Sequence, residues 1–233
     1  AASILSSSYG WQTQFSALDT QEQEFYLSAH REPITHPMMH LTLDAELYQD
    51  ETVTLIQLPT SSENWRIYFA KSTYLEQAED LALNLEQLTR LSSQTTLTSI
   101  NLVLPRLNLS EYDNLRSEFP SSITSPATAS LPALTLEAAD SLYLPSAYLK
   151  KEMQIDETGV HFTSIATSRI DKKPDQQSNH GDASVATYLI NLLLTTNELP
   201  IDVHFNSPFQ YFVLHVPTGT MLYLGHIKDP RGN

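Results

Sequence analysis

The sequence predicts an α+β fold, built mainly from antiparallel β-sheets with a few helices. Three observations carry this reading. Short β-rich runs come in pairs across polar or glycine-containing turns. A further apolar run alternates loosely, as a strand with one buried face does. Only one long stretch repeats its apolar residues at helical period. In chain order, residues 53–58 and 66–70 are β-rich and flank Ser61, Ser62, Glu63 and Asn64, which reads as a hairpin. From Tyr74 to Leu91, the residues Leu75, Ala78, Leu81, Ala82, Leu85, Leu88 and Leu91 form one stripe, which predicts a single core-facing helix. Thr73 and Glu76 stand as a capping box at its start. Residues 97–104 read as a strand stopped by Pro105, and residues 111–119 as a second, short helix. Residues 209–216 and 221–227 flank Pro217, Thr218, Gly219 and Thr220, a second hairpin in which Gly219 supplies the turn.

The chain has 233 residues, enough for one large domain with a buried core. It carries 27 Asp+Glu against 13 Lys+Arg, a formal charge of −14. Nucleic-acid affinity depends on clustered Lys and Arg, so this balance argues against a nucleic-acid partner. The absence of cysteine excludes disulfides, zinc-thiolate sites and a cysteine nucleophile. Six glycines are well under the usual ~7%. Accordingly there is no GxGxxG, GxxxxGK[ST] or GxSxG segment. The first eight residues lack the basic start and apolar stretch of a signal peptide. The longest apolar run, 185–194, is far short of the ~20 residues that span a bilayer, so the chain is expected to be soluble with no membrane partner.

Few side-chain groupings suggest chemistry. His36 and His40 share a face if their segment is extended, with His30 nearby, but no Asp or Glu stands at a supporting spacing for a metal. No serine sits on a recognisable nucleophile elbow, so neither a cofactor nor an enzymatic activity is expected. Lys150, Lys151, Arg169, Lys172 and Lys173 gather much of the basic charge, either as a protease-recognition or polyanion patch or as a solvated strand edge and loop. Residues 169–182 contain no apolar residue after Ile170, which predicts an exposed, mobile loop and first cuts by protease between Ile170 and Asp182.

The C-terminal residues narrow the reading. Phe205, Asn206, Ser207, Pro208 and Phe209, followed by an apolar strand, resemble the C-terminal signature of the serpins, although Gln210 stands where that family prefers an apolar residue. Residues 221–230, ending in Asp229 and Pro230, resemble the family's closing strand. Tyr9, Gly10 and Trp11, followed by Phe15, Asp19, Thr20 and Phe25, resemble the end of the third strand of the serpin main sheet and its exit. Pro37, Met38 and Met39 resemble a Val-Pro-Met-Met strand. Leu104, Pro105, Arg106 and Leu107, with Tyr112, Asp113, Asn114 and Leu115, resemble two further family elements. Residues 142–159 resemble the fifth strand of that sheet, and Glu157 with Gly159 resembles the hinge of the reactive-centre loop.

The resemblance implies one serpin-like domain over residues 1–233, corresponding to the C-terminal portion of the fold, without its N-terminal helices and two of its strands. It implies a reactive-centre-loop-like segment at 160–199, containing the polar stretch 169–182. Because the absent helices normally cover the sheets, it further implies a missing N-terminal segment, a second chain, or a reduced relative with a rearranged core. Trp11 would stand at the end of the sheet where the loop enters. Glu157, Gly159, Val160 and Phe162 would form the hinge, and Arg169, Lys172 and Lys173 are the candidates for cleavage. Pro174 disfavours a cut after Lys173. The implied function is inhibition of a serine or cysteine protease, outside the cell, through cleavage of the loop and its insertion into the main sheet. Thr163, Ser164, Ala166 and Thr167 suit insertion, whereas Val160, His161, Phe162 and Ile165 are bulkier than the family's run of small residues. Leu149 replaces a usual buried histidine, and the span from Glu157 to Phe205 is long for the family. These departures favour the alternative, a non-inhibitory serpin-fold binding or structural protein. In the inhibitory reading, residues 160–167 join the sheet only after the loop is cut.

Overall fold

The computed structural model describes residues 2–124, 143–171 and 199–232. They form twelve strands with little helix: β1 (Ala2–Gly10), β2 (Gln21–Phe25), β3 (Ile34–Gln49), β4 (Val53–Pro59), β5 (Trp65–Ser72), β6 (Thr96–Pro105), β7 (Leu107–Asn114), β8 (Tyr143–Ile155), β9 (Gly159–Asp171), β10 (Ile201–His204), β11 (Phe209–His215) and β12 (Thr220–Ile227). The described residues divide into two compact units. One holds 2–7, 110–124, 143–152 and 162–171; the other holds 8–109, 153–161 and 199–232.

The larger sheet has the order β10-β6-β3-β4-β5-β11-β12, with β2 also paired to β3. Both predicted hairpins are present. Leu55 pairs with Ala70 across β4 and β5, and Tyr211 pairs with Gly225 across β11 and β12. Gly219 closes the second hairpin at φ 64°, a left-handed conformation that a side chain would strain. Met38 and Met39 of β3 are both fully buried. A core cluster joins Val53, Leu55, Tyr68, Ala70 and Phe212 of the strands to Leu88 and Leu91.

The single helix expected over 74–91 is instead two pieces. A 3-10 segment spans Leu75–Asp80, and an α-helix, α1, spans only Leu85–Ser92. Local capping and a distant strand decide the break. Asn84 accepts from the Gln87 N–H while the Gln87 side chain accepts from the Asn84 N–H, a complete capping box at the start of α1. The Leu83 N–H donates to Gln210 Oε1 on β11 at 2.7 Å, which satisfies extended backbone that a helix would have consumed. Leu81 and Leu83 pack against the core cluster from this extended link. The start predicted at Thr73 and Glu76 does not form, and Tyr74 precedes the 3-10 segment without a side-chain cap. The short helix expected over 111–119 is likewise corrected. Residues up to Asn114 belong to β7, and only Leu115–Glu118 turn, as 3-10.

The second sheet has the order β1-β9-β8-β7. Each of its strands contributes residues to both units. Residues 169–171, expected as the start of a loop, continue β9. The remainder of the polar stretch, with Lys172 and Lys173, lies outside the described residues, as does the apolar run 185–194.

Candidate functional site

The site is the turn at Asp156, Glu157 and Thr158 between β8 and β9, together with the strand that follows it. Asp156 and Gly159 exchange backbone hydrogen bonds of 3.0 and 3.3 Å, closing Glu157 and Thr158 into a tight hairpin. The Asp156 carboxylate organises this turn. Its Oδ1 accepts from the Thr158 N–H at 2.8 Å, the Thr158 hydroxyl at 2.6 Å and the Gly159 N–H at 3.2 Å. Its Oδ2 accepts from the Gln154 amide at 2.7 Å. Burial pushes the Asp156 carboxyl up, but the donors from Thr158 and Gly159 and the nearby His161 outweigh it and hold the group below its usual range.

The three carbonyls of the turn are taken by the segment after β1. The Trp11 indole N–H donates to the Asp156 carbonyl at 2.8 Å, the Phe15 N–H to that of Glu157 at 3.0 Å, and the Trp11 N–H to that of Thr158 at 3.0 Å. Trp11 is 4% exposed and packs near the rings of Phe15 and Phe69. The Glu157 carboxylate, whose side chain is 12% exposed, accepts from the Thr20 hydroxyl at 2.8 Å and lies 3.7 Å from Arg106 Nε. Gly159 has a steric reason to be glycine. A Cβ there would overlap the Tyr9 carbonyl oxygen and lie 2.9 Å from Gly10 Cα. His161 accepts from or donates to Ser8 Oγ at 2.8 Å through Nδ1, and its Nε2 lies 3.8 Å from Asp156 Oδ1.

Beyond the turn, β9 lies between β1 and β8. Val160 is 1% exposed and Phe162 4%. Their bulk therefore does not keep them out of the sheet. Burying such side chains stabilises by roughly 1.5–3 kcal/mol each, which offsets the crowding expected from the sequence. The arrangement brings Trp11, Glu157, Gly159 and Val160 together. Arg169 is on β9, and Lys172 and Lys173 lie outside the described residues. Lys150 pairs with Glu152, and Lys151 with Asp113 at 2.7 Å and Glu111 at 3.3 Å. Those two lysines are thus a charge-balanced strand surface rather than a free basic patch.

Sequence reasoning did not identify Asp156, Thr20, Phe15 and Ser8 as partners of this turn and of the start of β9. Only Asp156 left a local signal, an Asp followed by Thr158 and Gly159, which is the pattern of a side chain capping its own turn. The other three lie in or near the stretch that resembles the family's third strand and its exit, but nothing local marks them as partners of this distant turn.

A four-stranded sheet in which β9 lies between β1 and β8, beside a larger mixed sheet with little helix, is the class of fold on which the comparisons bear. The chain belongs to the serpin (serine protease inhibitor) family, whose model matches residues 8–230. Ovalbumin-related protein X of Gallus gallus is 21% identical over 94% of this chain and 88% of its own length. Pigment epithelium-derived factor of Homo sapiens is 25% identical over 95% of this chain but 48% of its own length. The superinfection exclusion protein of Vaccinia virus is 22% identical over 94% of this chain and 53% of its own. Among solved structures, a loop-inserted structure of a cleaved ovalbumin mutant superposes with a TM-score of 0.74 at 20% identity, covering 98% of this chain and 55% of that one. Cleaved Serpin 42Da follows at a TM-score of 0.69 and 18% identity, covering 98% and 56%. The chain thus spans about half the length of these solved relatives and of two of the three curated ones.

Proposed function

We propose that this protein inhibits a serine or cysteine protease by offering a reactive loop that is cut and inserted into the main sheet, without enzymatic activity of its own. The observation that supports the reading most is the place of β9 between β1 and β8. A strand that leaves a rigid hinge at Gly159 and fills a central position gives a cut loop a destination of lower free energy. In the proposed cycle, Glu157 stays tied to Thr20 and Arg106 while residues beyond Gly159 enter the sheet. A protease acylated at Arg169, Lys172 or Lys173 is carried with them. A serpin segment preceding this portion, or a second chain, completes the fold around the sheets, and the protein works outside the cell.

A second reading, a non-inhibitory serpin-fold binding or structural protein, is favoured by Val160, His161, Phe162 and Ile165, whose size slows entry into a closing sheet. Incubation with a trypsin-like protease separates the two. The inhibitor is expected to form a covalent complex that survives SDS electrophoresis. Clean loop cleavage with full recovery of protease activity, across trypsin-like enzymes and a papain-like cysteine protease, overturns it in favour of the second reading.

A further inference from the structure

The larger unit holds a cavity that takes no part in the β8–β9 turn or in the seating of β9. Its volume is about 660 Å³, within the range of sites that hold small organic molecules. Three pieces of chain build it. α1 and the turn that closes it present Gln87, Arg90, Leu91 and Gln94, which stand at i, i+3, i+4 and i+7 and so share one helix face. The turn between β3 and β4 presents Asp50. The end of the 3-10 segment and the link to α1 present Asp80, Leu81 and Leu83.

The floor is apolar and fixed. Val53 and Leu91 belong to the core cluster, and Leu81 and Leu83 pack against it. The bond from the Leu83 N–H to Gln210 Oε1 holds the link in place. The rim is charged, with opposite signs on different walls. Asp50 Oδ1 accepts from the Thr52 N–H at 2.7 Å and from the Thr52 hydroxyl and the Val53 N–H, both at 2.8 Å. Its Oδ2 accepts only from the Tyr48 hydroxyl, at 2.7 Å, and so keeps a lone pair free. The Tyr48 hydroxyl and then the Thr52 and Val53 N–H groups hold the Asp50 carboxyl well below its usual range, so it is ionised. Asp80 and Arg90 are exposed, and neither joins an ion pair of the described residues. Gln87 Oε1 accepts from the Asn84 N–H at 2.9 Å, which leaves the amide N–H groups of Gln87 to donate elsewhere.

An ion of one sign would be drawn to one wall and repelled by another. A molecule with a positive end, a negative end and an apolar body matches all three pieces at once. We propose that this cavity binds a small apolar zwitterion with the ammonium, carboxylate and apolar side chain of an aromatic α-amino acid. Arg90 takes the carboxylate in a two-pronged contact, with the Gln87 amide beside it. Asp80 and Asp50 Oδ2 take the ammonium. Val53, Leu81, Leu83 and Leu91 take the ring. The site shares no residue with the β8–β9 turn or with β9, so it stands or falls apart from the inhibitory reading.

The test uses three indoles with the whole protein at about pH 7: L-tryptophan, tryptamine, which lacks the carboxylate, and indole-3-propionate, which lacks the ammonium. Dissociation constants come from saturation-transfer NMR, read on the ligand's own indole signals. Tryptophan should bind about tenfold more tightly than either analogue, the usual consequence of one further charge-assisted hydrogen bond. Arg90→Gln should bring tryptophan down to the level of tryptamine and leave tryptamine unweakened. Asp80→Asn should weaken tryptophan severalfold and leave indole-3-propionate unweakened. Both changes are at exposed side chains, so folding is not at stake, and Arg90→Lys should restore part of what Arg90→Gln loses. The proposal is overturned if none of the three binds, as it would be if another segment of the protein fills the cavity. It is also overturned if tryptophan binds no more tightly than its one-charge analogues, or if each variant weakens all three ligands alike.

Discussion

At the scale of single residues, the turn between β8 and β9 depends on positions where a few atoms decide whether backbone approaches backbone. Gly159 is one. Its own φ is not left-handed, so its requirement is space: the Tyr9 carbonyl and Gly10 Cα occupy the volume of a Cβ. Gly159→Ala should destabilise the seated strand by about 1–3 kcal/mol, because the obstacle is backbone and cannot turn aside. Gly10→Ala is the matched control, since its added Cβ would meet Ser61 Oγ at 3.2 Å, a side chain that can rotate, and the Thr158 carbonyl oxygen only at an ordinary contact distance of 3.7 Å. Melting of loop-cleaved samples checks this: a loss of several degrees is expected for Gly159→Ala and little for Gly10→Ala. Equal losses would show that the close approach at β1 does not hold the strand. Trp11 works differently. Its indole both fills space beside Phe15 and Phe69 and donates to the Asp156 carbonyl, so one side chain joins packing to the orientation of the turn.

At the scale of elements, α1 shows how a short helix is held. Eight residues are too few to be stable alone in water. Its support comes from Leu88 and Leu91 in the core cluster and from the Asn84–Gln87 capping box. Asn84→Ala removes the side chain that accepts from the Gln87 N–H, at a cost of about 1 kcal/mol. For a protein of this size, that lowers the melting temperature by roughly 2–4 °C. The same change at Thr73, the start that the sequence pattern suggested, should leave the melting temperature nearly unaltered by comparison. Thr73 makes no helix cap, although its hydroxyl donates to the Asp50 carbonyl at 3.1 Å. If Thr73→Ala proves the more damaging of the two, α1 is not capped as described.

At the scale of the whole molecule, the proposed inhibition requires that the seated strand be a minimum which the freshly folded protein has not reached. Seating residues 160–167 adds ladder hydrogen bonds worth a net ~0.5–1.5 kcal/mol apiece, and the burial of Val160 and Phe162 adds to them. The sum is several kcal/mol, so cutting the loop of an inhibitor with the strand outside should raise its melting temperature by roughly 10 °C or more. Thermal melts before and after complete cleavage, on protein prepared without heating, measure this directly. A shift of a degree or two would mean that β9 is already seated in the uncut protein or never enters. Either result removes the inhibitory reading and leaves the binding or structural one.

Features with local causes were legible in the sequence. The β4–β5 and β11–β12 hairpins follow from β-rich runs around turn residues, and Gly219 from the turn's need for a left-handed residue. The family was legible from Phe205, Asn206, Pro208 and Phe209 and from the stretches that agree with it in order, and that resemblance also singled out Trp11, Glu157 and Gly159. Tertiary structure alone decided where the apolar stripe of 74–91 breaks, because the group that satisfies the Leu83 N–H is Gln210, far along the chain. It alone decided that Val160 and Phe162 sit inside a sheet and that Phe15 and Trp11 take the carbonyls of the turn between β8 and β9. Periodicity records which face of an element is apolar. It does not record which distant donor, acceptor or charge will meet that element, and those meetings set both the break in the helix and the seat of the strand.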